Sequence, residues 1–371
     1  MKKIIIILSA VLLSLTASAQ DAQQAAAQAA AMVNAAPAAE VKVEKPNYWT
    51  SSLKTQINVG QTSLTNWAAG GDNTVSLAAF IDGNANWKKN DMFWNNRLQL
   101  DYGFLYASSK PIIQKNTDRI YLESKWGYKA PSTKYLYFSA NYDFKSQFTT
   151  GYDYKTPSVE GLEDMAHKDK VKQWNDARVL KSGFLAPAYT NLALGIDYTP
   201  AKWLSINFAP LTGGFVIVRD AALRKSYSMN AKKSTTADMI TAAEDALNSA
   251  VTDAEKEEAT VALGNLYRSA NFEFGAQLKM DAKVNINDNF SYSTQVVLFT
   301  NYLDIHRCPR INWDNRIDWK LAKYFSFTIT TNLIYDDKIM IADKNGENPK
   351  ARVQFKESLA FGFTYTIASR K

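Results

Sequence analysis

From Tyr48 onward the chain alternates residue by residue between apolar or aromatic side chains and polar or charged ones. In 92-MFWNNRLQLDYGFLYA-107 the even positions include Trp94, Leu98, Leu100, Tyr102, Phe104 and Tyr106. Between them stand Asn95, Arg97, Gln99, Asp101 and Gly103. In 271-NFEFGAQLKMDAKV-284, Phe272, Phe274, Leu278 and Met280 alternate with Glu273, Gln277, Lys279 and Asp281. In 311-INWDNRIDWKL-321, Ile311, Trp313, Ile317 and Trp319 alternate with Asn312, Asp314, Arg316, Asp318 and Lys320. A period of two places these sets on opposite faces of a strand, one in an oily environment and one carrying full charges of both signs.

Twelve such segments fall near 50–66, 73–88, 92–107, 117–129, 134–149, 188–199, 202–218, 268–285, 289–303, 311–321, 323–335 and 352–367. Most reach the length of about 9–11 residues that a tilted strand needs to cross a bilayer, against about 5–6 for a soluble strand. The connections at 89–91, 130–133, 200–201, 286–288 and 322 are tight. Those at 67–72, 108–116, 150–187, 219–267, 304–310 and 336–351 are longer, so short and long alternate. That asymmetry belongs to barrels with short periplasmic turns and long outer loops. The fold class is therefore all-β, a transmembrane up-and-down antiparallel β-barrel of about 12 strands, and an even count returns both ends to the periplasmic side.

The N-terminus supplies the export signal. Lys2 and Lys3 precede the apolar run Ile4–Leu15, and Ala17-Ser18-Ala19 fits a small-residue cleavage site, so residues 1–19 read as a signal peptide cut after Ala19. Residues 20–47 are Ala/Gln-rich, have little to bury and read as a flexible periplasmic lead; the barrel spans 48–371. Loss of the two lysines takes the formal charge from +7 to +5, spread along the chain, which makes no case for nucleic acid. The single cysteine, Cys308, leaves no internal disulfide. Localisation is the cell outer membrane of a Gram-negative envelope. The partners are the lipid bilayer and, during biogenesis, the barrel-assembly machinery; the expected state is a monomer.

In 60-GQTSLTNWAAGGDNTVSLAAF-80, Asn66, Trp67, Gly70 and Gly71 interrupt two alternating runs. The glycines suit a reversal and the indole suits headgroup depth, which gives an outer-rim turn; a ligand site made by the same residues is the alternative. SLTNWAAGGDN, the following Asn84-Ala85-Asn86-Trp87 and the Leu98–Tyr102 segment resemble a family of bacterial outer-membrane proteins, domain-of-unknown-function family 3078. The resemblance runs from about Tyr48 to the C-terminus. It implies outer-membrane residence and offers no catalytic residue to carry over. In the last strand, Gly362, Tyr365 and Ile367 resemble the pattern by which assembly machinery reads barrel C-termini.

The inward face gathers Arg97, Asp101, Glu123, Lys125, Glu273, Lys279, Asp314, Arg316, Asp318 and Lys320, together with Lys54, Asp82, Asp143, Lys145, Asp281, Lys283 and Lys356. In a narrow lumen these groups either pair into a plug or line an aqueous path. A porin-like pore for small polar solutes, gated by the long outer loops, is the leading function. A closed barrel whose loops bind a partner is the alternative. A barrel enzyme needs a histidine beside a nucleophile, and only His167 and His306 are present, the latter near Cys308. No catalytic residue, cofactor or metal site is assigned. Residues 219–267 hold two Ala-rich helical pieces parted near Ser249–Asp253, the second capped by Thr252 or Asp253, and are expected to fold over the barrel mouth as a lid. Tyr152, Tyr154 and Trp174 in the 150–187 loop are candidates for partner contact.

Overall fold

The computed structural model describes residues 47–62, 73–131, 133–304, 308–341 and 348–368. The signal peptide, the lead, the Asn66–Gly71 turn and His306 lie outside the described residues. The barrel unit begins at Tyr48.

Its strands are β1 (Trp49–Thr62), β2 (Thr74–Lys89), β3 (Met92–Ala107), β4 (Lys110–Lys129), β5 (Leu136–Ser146), β8 (Ala188–Ala201), β9 (Leu204–Ile217), β10 (Ala270–Asn287), β11 (Phe290–Asn301), β12 (Arg310–Lys320), β13 (Phe325–Tyr335) and β16 (Gln354–Ala368). Two small hairpins in the connections supply the rest, β6 (Gly151–Tyr154) with β7 (Arg178–Ser182) and β14 (Met340–Ile341) with β15 (Lys350–Ala351). Each barrel strand pairs antiparallel with its neighbour, and β1 closes on β16 from Ser52↔Ala368 to Asn58↔Gly362. Twelve strands form one closed antiparallel barrel.

One end carries the short connections 90–91, 130–135, 202–203, 288–289 and 321–324, and is called the turn end here. The other carries 147–187, 218–269, 302–309 and 336–353, and is called the loop end. One expectation fails there. Residues 108–116 are not a long loop: β4 starts at Lys110, leaving a two-residue reversal at Ser108-Ser109. The register slips at Gly103/Phe104 and again at Tyr106/Ala107, so irregular pairing breaks the period of two over this stretch.

The distribution of side chains is inside-out. Of the six largest side chains buried almost completely among the described residues, Gln56, Asn141, Asn207, Thr212 and Asp197 are polar and only Val218 is apolar. Leu98, Leu194, Ile196, Leu278 and Phe361 stand 40–58% exposed on the outer wall. Aromatic rings crowd that wall near the turn end: Trp49, Trp94, Trp126, Tyr198 and Trp319. Trp49 and Trp94 lie 5.8 Å apart, and Trp94 Nε1 donates to Ser124 Oγ at 2.8 Å, so this outward indole keeps its polar atom satisfied. A water-facing surface does not concentrate apolar area this way; an apolar band with an aromatic girdle is the exterior of a membrane barrel. No described helix is long and apolar enough to cross a membrane, which is silent about strands.

Among the described residues the α-helices lie at the loop end: α1 (His167–Asp176), α2 (Ala221–Arg224), α3 (Ala237–Ser249) and α4 (Asp253–Asn265). The insertion is thus helical, with its break where the sequence placed it. Thr252 caps α4: its hydroxyl accepts from Glu255 N at 3.2 Å, while the Glu255 carboxylate accepts from Thr252 N and Val251 N at 2.8 and 2.9 Å. Those backbone donors, Thr252 first, hold the Glu255 carboxyl below its ordinary value. A depressed carboxyl stabilises the fold above its unfolded value and stops doing so as pH falls through the folded one, so α4 loosens on acidification. Thr252→Ala is expected to cost the helix about 1 kcal/mol, read as faster amide exchange over residues 253–258 with the barrel strands unchanged.

Candidate functional site: the charged lumen

The inward side chains enclose a cavity of about 2340 Å³ that runs along the barrel. At the turn end it is lined by Tyr48, Lys88, Lys134, Lys202 and Trp203, and at the loop end by Tyr152, Lys181, Ser182 and Ile339. Fifteen Lys and Arg residues and nine Asp residues contribute to the lining.

Three clusters tie the wall together. In the first, Asp318 accepts from Lys54 Nζ at 3.0 Å, from Arg316 Nε and Nη2 at 2.9 Å each, and from Thr328 Oγ1 at 2.8 Å. Gln56 extends it, accepting from Arg316 at 2.7 Å and donating to Thr328 at 3.1 Å. The Arg316 guanidinium lies 4.6 Å from the centre of the Phe80 ring. This cluster draws on β1, β12 and β13, so it bridges across β16.

In the second, Arg97 grips Asp82 through Nε and Nη2 at 3.0 and 2.7 Å, and Arg119 Nε donates to Asp101 at 2.8 Å and its Nη2 to Gln99 at 3.3 Å. In the third, buried Lys279 meets Glu123, which also accepts from Tyr121 Oη at 3.0 Å. Lys125 donates to Asp197 at 2.7 Å and Ser205 at 3.2 Å. Lys279 on β10 thereby touches β4 across the lumen, since β5, β8 and β9 intervene along the wall. The charges of these three clusters survive inside the barrel because they meet partners of opposite sign; a lone buried ion would carry its desolvation cost unrelieved.

Nearer the loop end, Arg310 holds Glu273 through both guanidinium arms at 3.4 and 2.9 Å, with Asp336 at 3.9 Å. Asp314 accepts from Asn332, and Asp143 accepts from Asn191 at 2.9 Å. Of the ten charged residues named from sequence for the lumen, Arg97, Asp101, Lys125, Lys279, Asp314, Arg316 and Asp318 line the cavity. Glu123 and Glu273 sit behind it, turned into their cation partners. Lys320 does not belong with them: it ends β12 at the turn end, exposed, and is no part of the lining. Arg119, Asp197 and Arg310 were missed. The first two keep the inward parity of their strands and an extended count would have found them, whereas Arg310 looked like loop.

The 218–269 insertion, expected from the sequence to be a lid, contributes no residue to the cavity lining. It fastens the segments that do. Tyr227 Oη donates to Lys181 O at 2.9 Å, and Ser228 Oγ donates to Lys338 O at 3.0 Å. Ala186, Val218, Leu223 and Met229 bury one small apolar cluster beneath these bonds. The aromatic residues of the 147–187 loop are likewise occupied: Trp174 is buried with Lys110 over its ring at 5.8 Å, and Arg178 lies 4.1 Å over Tyr152. Cys308 is exposed, with its N–H donating to Asp337 at 3.0 Å. Among the described residues no set of three or more His, Cys, Asp or Glu is placed to hold a metal ion.

A charged lumen inside an apolar-walled barrel, carried by these strands, invites comparison with known families. Residues 59–152 match the family model for a protein of unknown function (DUF3078). The DUF3078 match is narrower than the resemblance read from sequence, yet it contains every residue on which that resemblance rested. No curated protein matches the chain by sequence. Among solved structures, the translocator domain of the autotransporter NalP from Neisseria meningitidis is similar at TM-score 0.35 and 9% identity, covering 93% of this chain and 97% of its own. An outer membrane channel from Pseudomonas putida F1 gives TM-score 0.33 and 8% identity over 88% of this chain and 100% of its own. The NanC porin gives 0.30 and 6% over 87% and 99%. The barrel assignment rests on the strand ladder itself.

Proposed function

We propose that this chain is an outer-membrane barrel that passes small polar solutes, without enzymatic activity, with the loop end outward and its outer loops acting as the gate. The observation that carries the reading is the continuous cavity, which reaches from Tyr48 and Trp203 at one end to Lys181 and Ile339 at the other. A wall of paired charges supports passage of polar solutes, because paired groups keep the path hydrated without presenting a lone deep trap. The gate is assigned to the 147–187 and 336–353 segments, with the 218–269 insertion as their clamp.

Single-channel recording of the protein refolded in a planar bilayer tests this. Discrete current steps are expected, and Tyr227→Phe with Ser228→Ala, which removes both clamp hydrogen bonds, is expected to lengthen the open state. Silence from protein shown to be folded by heat-dependent gel mobility sinks the pore. The second reading is a closed interaction barrel. It draws on the cross-lumen contact of Lys279 with Glu123 and predicts that silence.

A further inference from the structure

Wall charges are unevenly matched. All four lining arginines have a carboxylate within 4.0 Å, and so do Lys54, Lys115, Lys125 and Lys279. The other seven lining lysines have none among the described residues. Seven of the nine lining aspartates have a cation within the same distance; the remaining two, Asp143 and Asp314, are held by amides. The unmatched charge is therefore positive: Lys145, Lys181 and Lys356 lie toward the loop end, and three more lysines ring the turn end. There Lys88 near the end of β2, Lys134 in the 130–135 connection and Lys202 in the 202–203 connection face the cavity, and no carboxylate lines that mouth. Lys283 on β10 is the next unmatched cation inward, beyond the mouth and near Asp82.

We propose that the turn-end mouth makes this barrel selective for small anions, solutes bearing a carboxylate or a phosphate. The proposal rests on the pore reading above and names its solute class. Like charges held at the mouth of a cleft with low-dielectric walls focus their field along the axis and raise the local concentration of counter-ions. Three lysines spaced around a rim, followed by one farther in, offer successive weak sites instead of one tight one, which permits release as well as entry. The ammonium groups are exposed and solvated, so they attract without holding. The paired charges deeper in the wall are already neutralised and contribute little to the sign of the field. The path is thus rectified at its inner end, where a solute leaving the barrel enters the periplasm.

The test is the reversal potential across a bilayer bearing an about tenfold KCl gradient, at low total salt so that screening does not hide the effect. Wild-type protein is expected to reverse on the chloride side of zero, and to keep that sign with potassium acetate or potassium phosphate as the probe. The triple variant Lys88→Gln, Lys134→Gln, Lys202→Gln changes only rim side chains. Its anion-to-cation permeability ratio is expected to fall by at least about threefold, with open-state conductance retained, and the corresponding Glu variant is expected to reverse the sign. Cation preference in the wild type, or an unchanged ratio in the triple variant, overturns the proposal while leaving the pore standing. No current at all from folded wild-type protein overturns the pore reading and this one with it.

Discussion

Asp318→Ala is expected to destabilise the folded barrel by about 2–4 kcal/mol, measured as a shift of the urea midpoint in lipid vesicles. Asp318 receives four hydrogen bonds from three side chains, Lys54, Arg316 and Thr328. Its removal leaves an ammonium and a guanidinium facing each other with no anion between them, and breaking a buried pair from one side costs about 3–5 kcal/mol in a dry interior. These side chains keep 20–25% of their exposure to the cavity, so the lower range applies. The triple change that also replaces Lys54 and Arg316 with methionine should recover much of the loss, because the orphaned cations go with their partner. A cost below about 0.5 kcal/mol for Asp318→Ala would mean that water already satisfies both cations and that the cluster is not structural.

The second large effect contrasts two positions three residues apart on β3. Leu98 points outward and is 40% exposed, while Asn95 lines the cavity. Leu98→Arg is expected to cost about 2–4 kcal/mol in a bilayer, the cost of a cation facing lipid near mid-depth. Asn95→Arg adds the same charge to the aqueous side and should change stability by less than about 1 kcal/mol. Refolding yield into vesicles, followed by gel mobility, reads both. Equal losses would place both residues in one environment and remove the case for a lipid-facing exterior.

The strands were legible because the bilayer imposes a hard rule on one face only. In β3 the apolar even positions from Trp94 to Tyr106 gave the same bounds that the structure shows, 92–107. In β4 the rule weakens: Asn116 lies between Thr117 and Lys115, which pair with adjacent residues of β3, and one unpaired residue flips the parity of everything before it. The loop-end half of that strand therefore read as loop. Lumen residues were legible as a set, through parity, but not as pairs. Nothing local connects Lys54 to Asp318, 264 positions later, or Glu123 to Lys279, 156 later. Such partners are chosen by the curvature of the closed wall and its register. For the same reason a parity count could not reveal which lysines go unmatched. The insertion's helices were visible from composition and its cap from Thr252, but the surface it packs against was invisible, because that contact is a small apolar cluster of Ala186, Val218, Leu223 and Met229 plus two hydroxyls on backbone carbonyls.

The seam between β1 and β16 has a consequence for how this molecule is made. It joins Thr55 to Tyr365, residues separated by almost the whole barrel sequence, and Gly362 sits there against Asn58 and Ile57 O with no room for a side-chain carbon. Until that ladder zips, β1 and β16 each present a row of bare amides, which hydrocarbon cannot satisfy. Half a barrel is thus not a lesser barrel; it has no stable place in lipid. Every residue between the seam's two halves must be present before any of them is secure, so assembly is slow, all-or-none, and open to arrest by a short strand that occupies one edge first.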